Sequence, residues 1–313
     1  AGAGAVAAAG LPFIGHRPVA EQQRTLALVL GSGVVVLVLA TIFALTSASR
    51  NAAQVAATGH ALMQSQRLAK AVSQAVVGNA AAFAEVKDAV AVLASNARAL
   101  KDGGGSIAAV PGAAQEQLTP LMPMIDRAEK SATVVLGQQK TLTQVGEALR
   151  AINRQSVDLL DTAETVSSLK LQQGASASEL SAVGQVVMLT QRIGKSANEF
   201  LTTEGGSPEA VFLLGKDLNA FKLITEALIS GSPELRLNAA RDPQLKERLQ
   251  TLLKQYEQTR TQAAAILGNL QGLVAAREAQ TAILNDSEPL RKGLEQTRSE
   301  EHTSELQSRL HLV

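Results

Sequence analysis

Two short stretches of the sequence carry the same charged, amide and thioether side chains in the same order. Residues 63–71 read MQSQRLAKA, and residues 188–196 read MLTQRIGKS. In each stretch the Arg lies four positions after the Met and three before the Lys, so these side chains share one face of a helix. Six residues are therefore candidates for binding a ligand or passing a signal: Gln66, Arg67, Lys70, Gln191, Arg192 and Lys195.

Arg and Lys side chains on such a face support two interpretations. In the first, their aliphatic stems cover apolar surface while the charged ends reach water or a neighbouring carboxylate, as Lys195 can with Glu199 one turn further on. In the second, the planar guanidinium of Arg67 or Arg192 meets a carboxylate, a small anion or backbone carbonyl oxygens at a helix seam, including one across a dimer axis. The sequence leaves both open.

The rest of the composition excludes most catalytic and metal-binding chemistry. The chain has no Cys, and only His16 and His60 lie outside residues 298–313. It has no H-E-x-x-H, G-x-S-x-G or P-loop motif, so we predict neither enzyme activity nor a cofactor nor a metal. A net charge of +1 over 313 residues gives no strong field for a nucleic-acid backbone, so we predict no nucleic-acid partner.

An uncharged apolar segment near the N-terminus predicts a membrane anchor ahead of the first motif. Residues 25–49 contain no charged side chain and are long enough to cross a hydrocarbon core of about 30 Å as a helix. Arg17 and Arg24 precede the segment and Arg50 alone follows it closely, which favours a cytoplasmic N-terminus. The alternative is a signal peptide cleaved after residues 47–49, although its apolar region would be unusually long.

The remaining sequence predicts an all-α fold, an elongated bundle of long and short helices built from two repeats. Gly and Pro clusters separate helix-forming segments that are poor in aromatic residues. Two segments carry an apolar seam with alternating spacings of three and four, which is typical of long helices packed at shallow angles, and we expect each to run roughly 60–80 Å. The seams are Leu142, Val145, Leu149, Ile152, Ser156, Leu159, Ala163 and Val166, and then Leu245, Leu249, Leu252, Tyr256, Thr259, Ala263, Ile266, Leu270 and Leu273.

Shorter helices precede each seam, and their order indicates an internal duplication. We predict them at residues 52–77, 80–101, 176–203 and 208–229. Each motif falls in the first short helix of its set, and Lys87-Asp88 in the second helix recurs as Lys216-Asp217. The predicted segments are a low-complexity cytoplasmic N-terminus 1–24, a transmembrane helix 25–49, a first sensor repeat 50–174, a second sensor repeat 175–297 and a C-terminal stretch 298–313.

The C-terminal stretch is not expected to be native sequence. RSEEHTSELQS, residues 298–308, resembles a translated sequencing-library adapter, so we expect the natural reading frame to depart near Thr297. The chain starts with Ala, and AGAGAVAAAG is low-complexity sequence that forms no packed core. We therefore expect the chain to be a fragment of a longer protein.

The paired M-x-[ST]-Q-R-[LI]-x-K motifs, on helices that begin just after a membrane anchor, resemble the PilJ-type N-terminal sensor domain of type IV pilus methyl-accepting chemotaxis transducers. The resemblance covers residues 50–297. It implies a bacterial inner-membrane receptor with a periplasmic helical sensor that acts as a homodimer. Such a receptor controls twitching motility through a cytoplasmic chemotaxis kinase and its adaptor, and its stimulus stays open between a pilus subunit, a peptide and a small anionic ligand.

The same resemblance leaves the output module open. A similar Gln-Arg motif occurs in the sensing domain of nitrate/nitrite sensor kinases, so a histidine-kinase core would fit the same sensor. There the motif Arg helps to hold the anion at the dimer interface, and the matching residues are Arg67 and Arg192, but two copies in one chain depart from that arrangement. Ser156 and Thr259, polar residues in the seams, are the predicted points where packing switches. A membrane-anchored helical scaffold without a sensing role is a further alternative.

Overall fold

Helices account for nearly all of the regular structure of the chain. The computed structural model describes residues 19–110, 112–201 and 208–310, so His16 and Arg17 lie outside the described residues. No β-strand occurs in those three ranges, and the all-α prediction is confirmed. The helices are α1 Val19–Val76, α2 Ala82–Asp102, α3 Gly112–Leu118, α4 Met122–Gly137, α5 Gln139–Gln172, α6 Ala177–Leu201, α7 Pro208–Ser230, α8 Pro243–Gly268 and α9 Leu270–Leu310, with a 3₁₀ turn Thr119–Leu121 before α4.

Eight of these helices pack as two four-helix bundles joined end to end, and the short α3 packs against α9. The first bundle consists of the second half of α1 with α2, α4 and α9, and the second bundle consists of α5, α6, α7 and α8. The chain passes between the bundles twice, from α4 to α5 and from α8 to α9. As a result, α5 belongs to the second bundle although it follows α4 of the first bundle in the chain. Helix α9 is the fourth helix of the first bundle although it follows α8 of the second.

Apolar side chains at the predicted seam positions form the core of the second bundle. All eight seam residues of α5 are buried, and so are the seven seam residues that fall in α8. Two fully buried rings of this core, Phe221 and Tyr256, stack with their centroids 5.6 Å apart. The spacings of three and four therefore identified the buried faces of both helices correctly.

A single helix, α1, joins the apolar segment to the first motif. The sequence predicted two elements here, a span at 25–49 and a helix from residue 52, but α1 runs unbroken from Val19 to Val76. No Gly or Pro occurs between residues 34 and 58, so nothing in the local sequence ends the helix. The apolar half is long enough to cross a membrane, and its most apolar stretch has no residue buried inside the protein.

The second predicted long helix is interrupted at the level where the bundles meet, and the first begins at that level, so it is shorter than the expected length of roughly 60–80 Å. The second seam passes through Asn269, between α8 and α9, so the prediction of one continuous helix is wrong there. Asn269 has φ −112° and ψ 15°, and Gln138, between α4 and α5, has φ −96° and ψ 10°; both lie outside the α-helical range. Each break follows a Gly, which favours a helix less than any residue except Pro. The helix α5 is therefore 34 residues and about 50 Å long.

The loops after α2 and α7 are built in the same way. Gly103 and Gly231 end the two helices with φ of 82° and 84°, a conformation that Gly adopts without strain. Each donates its N–H to the carbonyl oxygen four residues earlier, at 2.9 and 2.8 Å. An isolated antiparallel bridge then closes each loop, between residues 104 and 107 and between residues 232 and 237. Each loop follows the helix that comes directly after a motif-bearing helix, so the loops recur in the chain in the same order as the motifs.

Candidate functional site

The two motifs lie on the outer surfaces of the two bundles. The first motif is in α1, the second is in α6, and all six candidate residues are exposed. We call Gln66, Arg67 and Lys70 the first face, and Gln191, Arg192 and Lys195 the second face. Met63 and Met188 extend these faces, with 56% and 46% of their surface exposed. The helical period explains the arrangement, because Leu68 and Ile193 between these positions point inward and are buried.

A buried carboxylate holds the arginine of the second face. The Arg192 guanidinium lies 2.8 Å from an oxygen of Asp217 on α7, and the two side chains are 46% and 4% exposed. Burial raises the pKa of Asp217 above its ordinary value, and the nearby charges of Arg192 and Lys216 oppose that rise without cancelling it. The ion pair therefore fixes the direction of Arg192 while keeping a carboxylate out of water.

The arginine of the first face has a weaker partner. Arg67 Nε lies 3.7 Å from an oxygen of Glu85 on α2, and both side chains are nearly half exposed, so solvent screens the attraction. Asp88, which recurs in the sequence as Asp217, is exposed. Lys195 lies 3.6 Å from Glu199 one turn further on, the contact expected from the sequence. The two faces thus share their outward residues but differ in how their Arg is held.

Replacing Asp217 with Asn should stabilise the folded chain near neutral pH. The pKa of Asp217 is higher in the folded state than its ordinary 3.8, so folding favours the protonated form. Its contribution to stability is present below that ordinary pKa and is lost as the pH rises through the folded-state pKa. Because Asn resembles the protonated acid, we expect a higher midpoint of thermal unfolding than wild type near pH 7 and no difference below the ordinary pKa.

Asp88→Asn is the matched control for that measurement, since Asp88 is the exposed residue at the equivalent place in the first repeat. We expect it to leave the midpoint of thermal unfolding unchanged at either pH, because solvent screens an exposed carboxylate. A wild-type chain that is more stable than Asp217→Asn near pH 7 would contradict the argument from burial.

The inner side of the second motif packs closely against α5. A Cβ on Gly194 would lie 2.6 Å from Ser156 Oγ, and Ser156 is itself buried. The neighbouring Gln155 accepts a hydrogen bond at 3.2 Å from the Thr259 hydroxyl of α8. The polar seam residues Ser156 and Thr259 therefore both lie where α5 packs against other helices of the second bundle, Ser156 at the contact with α6 and Thr259 at the contact with α8. That they act as switching points stays a prediction.

A family model matches the residues that carry both faces. The model of the type IV pili methyl-accepting chemotaxis transducer N-terminal domain, PilJ, matches residues 43–151 and residues 171–282. These two stretches make up more than half of the chain, and each contains one motif. The chain belongs to the PilJ family. Within this PilJ-type chain, the first matched stretch begins inside the apolar half of α1, and the second begins at the end of α5.

One relative of this PilJ-type chain is Protein PilJ of Pseudomonas aeruginosa, which is 23% identical to it over 236 residues. The match covers 74% of the chain but 34% of the relative, so the chain spans about a third of the relative's length. The similarity therefore concerns one part of that protein, and what the whole relative does is a separate question.

Two contacts of this PilJ-type chain were not predicted from its sequence. Asp217 was identified only as part of a recurring Lys-Asp pair, which gave no sign that it is buried against Arg192. Arg277 and Gln280 of α9 were not singled out, although Arg277 is half-buried and Gln280 is buried; their spacing of three, which places both on one helical face, was the one available signal. Across the described ranges, no group of three or more His, Asp or Glu could hold a metal ion.

Proposed function

We propose that the chain is the sensor domain of a bacterial inner-membrane chemoreceptor that controls type IV pili, with its bundles in the periplasm and no catalytic activity of its own. Membership in the PilJ family supports the receptor assignment. The observation that carries the proposal is the continuity of α1, which joins an exposed apolar segment to the helix that bears the first face. A displacement of that face along the helix axis also displaces the membrane segment.

The last helix supplies a second rod that leads towards the membrane side of the first bundle. α2 runs back along α1, α4 runs back along α2, and α9 runs antiparallel to α4, so α1 and α9 are antiparallel neighbours. The direction of α9 along α4 follows from three contacts: Gln138 beside Gly272, Arg127 with Asp286, and Leu121 beside Gly293. Two antiparallel rods in one bundle are the arrangement in which one helix can shift relative to another and pass that shift on.

The two faces are the proposed contact surfaces of the sensor. The side chains of Arg67 and Arg192 each remain 46% exposed beside their carboxylate partners, so part of each guanidinium is available to another group. A planar Arg suits either a small anionic ligand or a carboxylate of a second copy in a homodimer. A pilus subunit is the alternative stimulus, and a chemotaxis kinase with its adaptor is the proposed receiver in the cytoplasm.

We expect a cysteine placed at Glu234 to be labelled from outside the cytoplasm. The chain has no Cys, so a single Glu234→Cys substitution gives one reactive site, and Glu234 is exposed in the loop after α7. A membrane-impermeant maleimide applied to cells with an intact inner membrane should modify it as completely as in lysed cells. Leu249→Cys is the matched control, because Leu249 is fully buried and should react in neither sample. Labelling of Glu234→Cys only after lysis would place the bundles in the cytoplasm and contradict the proposal.

A further inference from the structure

One arginine between the two bundles is held by neutral acceptors. Arg277, near the start of α9, donates from Nη1 to Gln280 Oε1 at 3.0 Å and from Nη2 to the Phe200 carbonyl oxygen at 3.3 Å. Burial lowers the pKa of Arg277, and among the described residues no carboxylate opposes that effect. Phe200 lies in the last turn of α6, where carbonyl oxygens lack helical partners and the helix dipole favours a cation.

Gln280 extends this contact to α1. Its side-chain amide donates to Ser73 Oγ at 3.2 Å, and the Ser73 hydroxyl donates to the Ala69 carbonyl oxygen at 3.0 Å. Gln280 is 4% exposed, so water does not readily replace its lost partners. A continuous series of hydrogen bonds therefore runs from the last turn of α6, through α9, to α1.

The ends of this series lie just after the two motifs. Ser73 follows the first motif on α1, and Phe200 follows the second motif on α6. Over the part of the chain that the structure describes, α6 packs chiefly on α5 and α7, whereas α1 packs chiefly on α2 and α9. The two motif helices therefore share no extended interface, and the series through Arg277 and Gln280 of α9 is a polar connection between them.

We propose that Arg277 and Gln280 are positioning residues that couple the two motif helices, so that a displacement of α6 in the second bundle reaches α1 and its membrane segment. The Arg fork suits this role, because donors on one rigid plane engage the last turn of α6 and Gln280 at once, and Gln280 in turn contacts α1. A buried series of hydrogen bonds resists partial disruption, since breaking one member leaves another polar group unpaired. The purpose of the coupling rests on the proposed sensor function, but the coupling itself is a property of the folded chain.

Hydrogen exchange measured by mass spectrometry on the full chain in detergent micelles tests this coupling without a stimulus. Ser73→Ala removes the acceptor on α1 and leaves every residue of α6 in place. We expect exchange in the last turn of α6 to accelerate about two- to tenfold, which corresponds to the net strength of one hydrogen bond. In a Gln280→Leu background, which removes the intermediate, adding Ser73→Ala should cause no further acceleration in α6.

Ser168→Ala is the matched control, because Ser168 also donates to a carbonyl oxygen one turn earlier but lies on the exposed side of α5. It should leave exchange in α6 unchanged. The proposal is overturned if Ser73→Ala accelerates exchange in α1 alone, if exchange in α8 rises equally, or if the effect on α6 persists in the Gln280→Leu background. A chain that shows the coupling but fails the labelling test at Glu234 would retain this inference and lose the proposed function.

Discussion

Replacing Glu179 with Leu should lower the free energy of unfolding by about 3–5 kcal/mol, because the substitution leaves a buried Lys without its partner. Lys170 Nζ lies 2.9 Å from a Glu179 oxygen where α5 turns into α6, and the two side chains are 6% and 9% exposed. Glu179 also accepts hydrogen bonds at 2.9 Å from the N–H and the hydroxyl of Ser176. The Glu179 backbone N–H donates in return to Ser176 Oγ at 3.3 Å, which completes a capping box at the start of α6. Urea unfolding of the full chain, followed by circular dichroism, measures the change.

The double variant Lys170→Met with Glu179→Leu is the control, because it leaves no unpaired charge. We expect it to be more stable than Glu179→Leu by about 2 kcal/mol or more. A single variant as stable as the double variant would contradict the importance of this buried pair.

Acid should remove the same stabilisation in the wild-type chain. The hydrogen bond from Lys170 lowers the pKa of Glu179, burial acts against it, and the hydrogen bonds from Ser176 lower the pKa further. Because the folded-state pKa lies below the ordinary 4.5, the stabilisation is present above that value and is lost as the pH falls through the folded-state pKa.

Replacing Gly146 with Ala should destabilise the chain by about 1–3 kcal/mol, because two stretches of backbone touch at this residue. A Cβ on Gly146 would lie 2.7 Å from the Val77 carbonyl oxygen and 2.9 Å from Gly78 Cα. Backbone, rather than the end of a flexible side chain, would therefore have to move where α5 passes the end of α1. The same urea unfolding experiment measures the change.

Gly184→Ala is the matched control for Gly146→Ala. Gly184 lies inside α6, and a Cβ there would meet no atom within 4 Å. We expect Gly184→Ala to stabilise the chain by about 0.5–1 kcal/mol, because Ala favours a helix over Gly. Destabilisation of equal size by both variants would exclude the close backbone approach as the cause.

The sequence predicted the presence of individual helices better than the residues at which they begin and end. The spacing of apolar residues in α5 identified its buried face, since that spacing follows directly from the helical period. The break at Asn269 was missed because Gly268 resembles Gly194, which lies within α6 without interrupting it. What distinguishes them is the position of Gly268 between two bundles, which is a property of the packed chain and not of the neighbouring residues.

The local sequence pattern also did not predict which bundle α5 and α9 each complete. Helices α5 and α9 both carry apolar residues that a four-helix bundle can bury, so their sequences do not specify which bundle each completes. The turn around Gly174 sends α6 back along α5, and the break at Asn269 is followed by α9 along α4. Long-range packing of this kind depends on the whole set of helices.

The candidate site was predictable on its outward side only. The spacing of three placed Arg67 beside Lys70 on one face of its helix and Arg192 beside Lys195 on one face of another. Both of these faces are exposed. The carboxylates that hold these arginines, Glu85 and Asp217, come from the following helices. Their distances and burial depend on how α2 and α7 pack, which no single helix determines.

The output of the intact receptor with altered faces tests the sensing role most directly. Arg67 and its partner Glu85 are both nearly half exposed, so we expect Arg67→Ala to leave the fold and the amount of receptor in the membrane unchanged. Because Asp217 is buried, Arg192→Ala is made together with Asp217→Asn, so that no unpaired carboxylate remains and the fold is kept. The double variant carries both arginine substitutions. Pilus-driven spreading of the host cells should nevertheless differ from wild type in each variant, and most in the double variant. Arg260→Ala is the control, because Arg260 pairs with Glu257 on its own helix, and it should spread as wild type does. Wild-type spreading by a correctly folded double variant would contradict the sensing role and favour a membrane-anchored scaffold.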